Sequence, residues 1–227
     1  AFGLADQVAA AGVRRITGAV IADESLFDTA RGGPSTGGGF DAELKAPLSA
    51  LSYDLGQTTP GGPVSADPLP LAAAKFDDQL EAKGIVLPNR PGVTTTPIGG
   101  TPIARVPSPT MAELLSTMLA ESDDFFAEML TKRIAAAAGV VPATTAAGAR
   151  LVQRSGTTLV DGSGLDRRDV GSARALTSTL RALRRADGES LLVRAGSGTL
   201  RGRLSGLKCR AKTGTLSGVS NLAGLCT

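Results

Sequence analysis

The stretch Leu207-Lys208-Cys209-Arg210-Ala211-Lys212-Thr213-Gly214-Thr215-Leu216-Ser217-Gly218-Val219-Ser220-Asn221-Leu222-Ala223-Gly224 decides how the chain is read. Two runs of small, apolar, β-compatible residues flank a turn of Ser and Gly, which is the pattern of a β-hairpin. Period-two alternation puts Lys208, Arg210 and Lys212 on one face and Cys209, Ala211 and Thr213 on the other. Lys212-Thr213-Gly214-Thr215 then offers a fixed cation, two hydroxyls for a carboxylate, and a Gly214 where an extended ligand can approach the backbone. By itself Lys-Thr-Gly is a common tripeptide and equally suits an ordinary hairpin with a solvated lysine. The surrounding chain has to decide.

With 227 residues the chain supports one large domain or two small ones. Hydrophobic residues make up 42%, enough for a core, but the net charge is only +3 and the 24 basic residues are scattered. Neither a basic stripe nor interleaved aromatics are present, so no nucleic-acid footprint is expected. No apolar run reaches the length of a membrane span. Cys209 and Cys226 fall on the two arms of the hairpin, about three positions out of register when counted from the turn, and a disulfide is not expected. Histidine is absent. That excludes Ser-His-Asp and Cys-His catalysis and His-based zinc sites, and leaves lysine as the base for any activated serine.

Taken in order, residues 3–11 read as a helix ending at Gly12, and residues 15–22 as a strand whose end, Asp23-Glu24, is solvated. Residues 32–39, rich in Gly, lack the Gly-Lys-Ser/Thr ending of a phosphate loop and read as a flexible loop. A helix over residues 71–83 closes at Gly84. The Pro/Gly-rich crossing over residues 88–109 is the best domain boundary. Thr110 and Glu113 form a capping box for a helix that breaks at Ser122-Asp123-Asp124 and resumes to Gly139. A helix over residues 144–154, a strand over 157–160, the tight loop Asp161-Gly162-Ser163-Gly164 and a helix over 172–186 follow. Without a βαβ rhythm, this half reads as α+β.

Ser122 could simply cap the second helix. Four motifs taken together weigh against that. Ser122-Asp123-Asp124-Phe125-Phe126-Ala127-Glu128 comes first, then Asp161-Gly162-Ser163-Gly164-Leu165-Asp166-Arg167. Gly198-Thr199-Leu200-Arg201-Gly202-Arg203 and Lys212-Thr213-Gly214-Thr215 complete the series. In this order they resemble the S13 D-alanyl-D-alanine carboxypeptidases of the penicillin-binding protein 4 type. Residues 10–18 and Asp23-Glu24-Ser25-Leu26-Phe27-Asp28 resemble that family's accessory domain.

The resemblance implies a penicilloyl-serine-transferase α/β/α sandwich with an antiparallel sheet. An inserted accessory domain would occupy residues 1–100 and the catalytic domain residues 101–227, both partial. It implies acyl transfer from peptidoglycan stem peptides, reaction with β-lactams, an exported location, and neither a metal nor a cofactor. Ser122 would relay a proton to the leaving amine, and Lys212 would hold the substrate carboxylate and polarise Ser122. Thr213, Gly214 and Thr215 would line the carboxylate and oxyanion positions, and Arg167 would face the substrate side chain.

Two departures stand out. The family's Ser-x-x-Lys nucleophile is expected upstream of residue 1, because the one match here, Ser205-Gly206-Leu207-Lys208, abuts the Lys212 strand. Asp124 stands where the family has Asn; an ionised carboxylate only accepts hydrogen bonds and is expected to draw Lys212 into an ion pair. A non-catalytic, peptide-binding relative is the alternative, and a β-lactamase fits the loop and accessory segments poorly.

Overall fold

The computed structural model describes residues 2–227. Helix α1 (Phe2–Ala10) leads to β1 (Ile21–Asp23), then α2 (Pro68–Glu81) and β2 (Gly92–Thr94). Next come α3 (Met111–Glu121), α4 (Asp124–Ala137) and α5 (Thr145–Val152), then β3 (Thr157–Thr158) and β4 (Val170–Gly171). Helix α6 (Ala173–Arg185), β5 (Val193–Arg194), β6 (Cys209–Leu216) and β7 (Val219–Cys226) complete the order.

The strand expected over residues 15–22 shrinks to β1, which pairs in parallel with β2, plus a lone bridge between Arg15 and Val86. Helix α2 starts earlier than its apolar spacing suggests, because the Asp67 side chain caps Leu69 N–H and Pro68 occupies the first turn. The capping box at Thr110 and Glu113 is formed. In α6 only Ala175 is buried and Leu176 is 44% exposed, so the helix lies on the surface.

Two polar readings are corrected. Glu24 is not a solvated strand end. It is buried, pairs through both oxygens with Arg31 at 2.7 and 2.8 Å, and accepts from Ser49 and the Ala50 N–H. The Gly-rich segment is tied down by its own backbone, with the Arg31 and Gly32 N–H groups donating to the Gly38 carbonyl and Gly38 N–H to that of Gly33.

Leu44, Ala46 and Leu48 pack with Phe125, joined by Phe126, Met129 and Leu165, so one apolar cluster draws on both sides of the Pro-rich crossing. Buried Lys132 of α4 also reaches across, donating to Asp28 at 2.7 Å.

An antiparallel sheet in the order β5-β6-β7 carries the C-terminal part. Val193, Leu200 and Ala211 form its core with Ala120 at the end of α3. Gly198, at positive φ, is pressed so close to the Ala120 carbonyl that a Cβ there would sit 2.8 Å away. That contact seats the end of α3 against the sheet.

The hairpin turn is Ser217-Gly218, with Leu216 paired to Val219. In this register Cys209 lies opposite Cys226 and the two are joined in a disulfide, contrary to the sequence expectation. A two-residue turn sets partners whose numbers add to a constant, and Leu216–Val219 and Cys209–Cys226 share it.

Candidate active site

The corner between α3 and α4 explains why Ser122 is available. Its backbone is left-handed (φ 52°, ψ 54°) and closes α3, with the Asp123 N–H bonding back to the Met118 carbonyl. Asp123, not Ser122, caps α4, its carboxylate accepting from Phe126 N–H at 2.8 Å. The serine hydroxyl is therefore free, and it accepts a hydrogen bond from Lys212 Nζ at 2.8 Å. Ninety residues separate the two in sequence.

Lys212 also donates to the Thr213 carbonyl at 2.7 Å. The hairpin's hydrogen-bond alternation accounts for that geometry. Leu216–Val219, next to the two-residue turn, is a hydrogen-bonded pair, and Thr227 N–H donates to the Lys208 carbonyl at the far end. The even-numbered residues of β6 thus bond to β7, while Cys209, Ala211, Thr213 and Thr215 turn their backbone groups the other way. Strand β5 covers that edge only at Arg210 and Ala211, with Ala195 N–H reaching the Cys209 carbonyl. Thr213 and Thr215 keep an open edge, facing a cleft of about 450 Å³ lined also by Ser122, Asp124, Gly162, Ser163 and Asn221.

The opposite wall is the Asp161-Gly162-Ser163-Gly164 loop, held by internal acceptors. Buried Asp161 accepts from Gly164 and Asp166 N–H, at 2.6 and 2.8 Å. Arg168 grips Asp166 through two nitrogens and holds its carboxyl down to about 2. Asp169 is pushed up to about 7, first by burial and then by its contact with the Asp161 carboxyl. Arg167 is exposed and donates to the Ser217 carbonyl at 2.7 Å, bridging this loop to the hairpin turn.

Asp124 lies half-buried beside Lys212. Burial pushes its carboxyl up to about 6, with the Lys212 charge pulling the other way. Burial likewise lowers the Lys212 ammonium, which Asp124 partly offsets. The expected ion pair between them is not formed among the described residues; Lys212 spends its donors on Ser122 and Thr213. Ser205 and Lys208 sit in a turn before β6, not on a helix.

Sequence reasoning quoted Glu128 within a motif but gave it no role. Its side chain turns out to be the acceptor on which the loop hangs, and thirty-odd residues of separation gave no pattern from which to find it.

A serine hydrogen-bonded to a half-buried lysine, facing an uncovered strand edge across a polar cleft, is an arrangement that acyl transfer without histidine can use. The family model for "D-Ala-D-Ala carboxypeptidase 3 (S13) family" matches residues 56–227. Carboxypeptidase DacB of Mycolicibacterium smegmatis is 33% identical over 255 aligned positions, covering 99% of this chain and 54% of the relative. Carboxypeptidase Rv3627c of Mycobacterium tuberculosis is 29% identical over 99% of this chain and 53% of its own length. Among solved structures, penicillin binding protein 4 (dacB) from Haemophilus influenzae superposes with a TM-score of 0.83 at 19% identity, covering all of this chain and 69% of that one. The same protein complexed with a β-lactam gives a TM-score of 0.62 at 27% identity, over 70% of this chain and 41% of that one. The fold is that of the penicillin-binding protein 4 structures, and the chain belongs to the S13 D-Ala-D-Ala carboxypeptidase family. It spans about half the length of the curated relatives it matches.

Proposed function

We propose that residues 1–227 supply one wall and the proton-relay pair of a serine-type D-Ala-D-Ala carboxypeptidase/endopeptidase acting on peptidoglycan stem peptides. The observation that carries the reading is the 2.8 Å bond from Lys212 to Ser122 at the open edge of β6. A stem peptide laid along that edge would meet the Thr213 and Thr215 backbone, as in strand addition. Lys212 and the two threonine hydroxyls would hold its terminal carboxylate, and the Thr215 N–H would serve as half of an oxyanion hole. Ser122 would pass a proton from the lysine side to the departing D-alanine amine. Arg167, held on Ser217, would bound the cleft at the substrate side-chain end. The acylated serine falls outside these residues in this reading, because none of their serines stands one helical turn before a lysine. Export to the cell wall accords with the family and with the Cys209–Cys226 disulfide.

The test is release of free D-alanine from a D-Ala-D-Ala stem pentapeptide by the full-length protein. Binding without release would favour the non-catalytic alternative, which Asp124 in place of the family's Asn supports. A polypeptide of residues 1–227 alone is expected to form no covalent adduct with a labelled penicillin; a stoichiometric adduct on Ser205 in the mass spectrum would overturn the reading.

Asp124 gives the site a pH dependence. Below about 6 its protonated carboxyl can donate as an amide does, and above that it only accepts. Asp124→Asn should therefore raise kcat/KM at pH 7.5 by roughly 10-fold, with the gain vanishing near pH 5. Stability should move the same way. The folded value lies above the ordinary 3.8, so the wild type loses stability as pH rises from there through about 6. The Asn variant should melt higher at pH 7.5 and equally at about pH 4. Matching profiles for the two proteins would count against Asp124 facing the substrate.

A further inference from the structure

We propose that Glu128 is the positioning residue of the cleft, the acceptor that ties the Asp161-Gly162-Ser163-Gly164 wall to α4 and so sets its distance from Ser122 and Lys212. The inference rests on the functional reading above. Glu128 is fully buried on α4, four residues and so one helical turn beyond Asp124. The same rigid helix therefore presents Asp124 to the cleft and Glu128 to the loop behind it. One oxygen, Oε1, takes three donors from the loop: Gly162 N–H at 3.1 Å, Ser163 N–H at 3.0 Å and Ser163 Oγ at 2.7 Å. The other, Oε2, accepts from Thr145 Oγ1 of α5 at 2.8 Å. Gly33, from the first hundred residues, also packs here, its Cα bearing no side chain where a Cβ would lie 3.5 Å from Oε1. Four segments meet on one carboxylate.

The geometry states what matters chemically. Gly162 and Ser163 line the cleft, so the loop cannot shift without changing its width. Truncating Glu128 would leave two part-buried loop N–H groups without their acceptor. Glutamine would satisfy the same partners: its oxygen would face the loop, and its amide nitrogen would donate to the Thr145 hydroxyl, which both donates and accepts. Aspartate would keep the charge but fall one methylene short. Reach, not charge, is the property the site requires.

The test compares Glu128→Gln, Glu128→Asp and Glu128→Ala in the full-length protein, by steady-state kinetics on a D-Ala-D-Ala peptide and by amide exchange at Gly162 and Ser163. Gln is expected to keep KM and both exchange rates within about 3-fold of wild type. Asp and Ala should raise KM roughly 10-fold or more with kcat within about 3-fold, since the Ser122–Lys212 pair is untouched and only binding is lost. Their two loop amides should exchange roughly 100-fold faster. A protein merely less folded would lower the apparent kcat and leave KM alone, and that result overturns the proposal. So does an Asp variant equal to wild type, which would make charge the operative property. If Ala does not fold, the Gln and Asp comparison decides. If even the wild type releases no D-alanine, the functional reading fails on its own. The exchange rates then still judge Glu128: protection lost in Asp and kept in Gln supports the role, and equal protection in both refutes it.

Discussion

Lys212→Ala should lower kcat/KM of the full-length protein on a D-Ala-D-Ala peptide by about 10³-fold, and slow acylation by penicillin to a similar degree. The lysine serves two ends of the proposed reaction, holding the substrate carboxylate and polarising Ser122. Neither is replaced by its neighbours: Arg210 is committed to the Ser190 and Leu192 carbonyls, and Arg167 to that of Ser217. The fold should survive, because the half-buried lysine pays a desolvation cost that alanine does not. Lys212→Arg should recover little, since a planar fork cannot make the single short bond to a hydroxyl from the same strand position. Unchanged acylation in both variants, at an unchanged melting temperature, would remove Lys212 from the site.

Gly162→Ala should destabilise the protein by about 2–3 kcal/mol and raise KM together with it. The loop lies flat on α4 at this point. An added Cβ would stand 2.2 Å from Thr131 Oγ1 and 2.6 Å from the Ala127 carbonyl, and the second of these is helix backbone that has no other place to go. The loop must lift, and lifting it pulls Gly162 and Ser163 N–H away from Glu128. The conformation at Gly162 is not itself left-handed, so the clash rather than backbone strain is the cause. Ser163→Ala, which adds no volume, should cost far less in a thermal melt. Equal melting of both variants would show that the loop has slack.

The parts of this molecule that were readable from sequence are the ones written in short-range chemistry. Thr110 and Glu113 announce the start of α3, and Ser122-Asp123-Asp124 announces its end, because caps are local patterns. The hairpin is announced by its turn, but its register was misjudged: only taking Ser217-Gly218 as the whole turn aligns the two cysteines. What could not be read are acceptors shared between distant segments. Glu24 looked like a polar strand end until Arg31 and the 49–50 backbone closed over it. Glu128 was no more than a motif member in the sequence, and its partners come from residues 145 and 162–163. The Asp124 environment is of the same kind, since burial at a helix corner is a property of the assembled walls. Strand content was overestimated at residues 15–22 because β-branched residues there pack on α1 and α2 without a neighbouring strand for their whole length.

The disulfide at the foot of the hairpin has a bearing on how the Lys212–Ser122 meeting is secured. Sliding β6 past β7 by a single pair would send every side chain of one strand to the opposite face relative to the other, and the lysine with it. Gly and Ser side chains in the last turn offer little to resist such a slide. The covalent tie between Cys209 and Cys226 admits one alignment and forbids the rest. Which way Lys212 points is thereby a matter of bonding, settled within eighteen residues of chain. Only the approach of the Ser122 corner is left to packing.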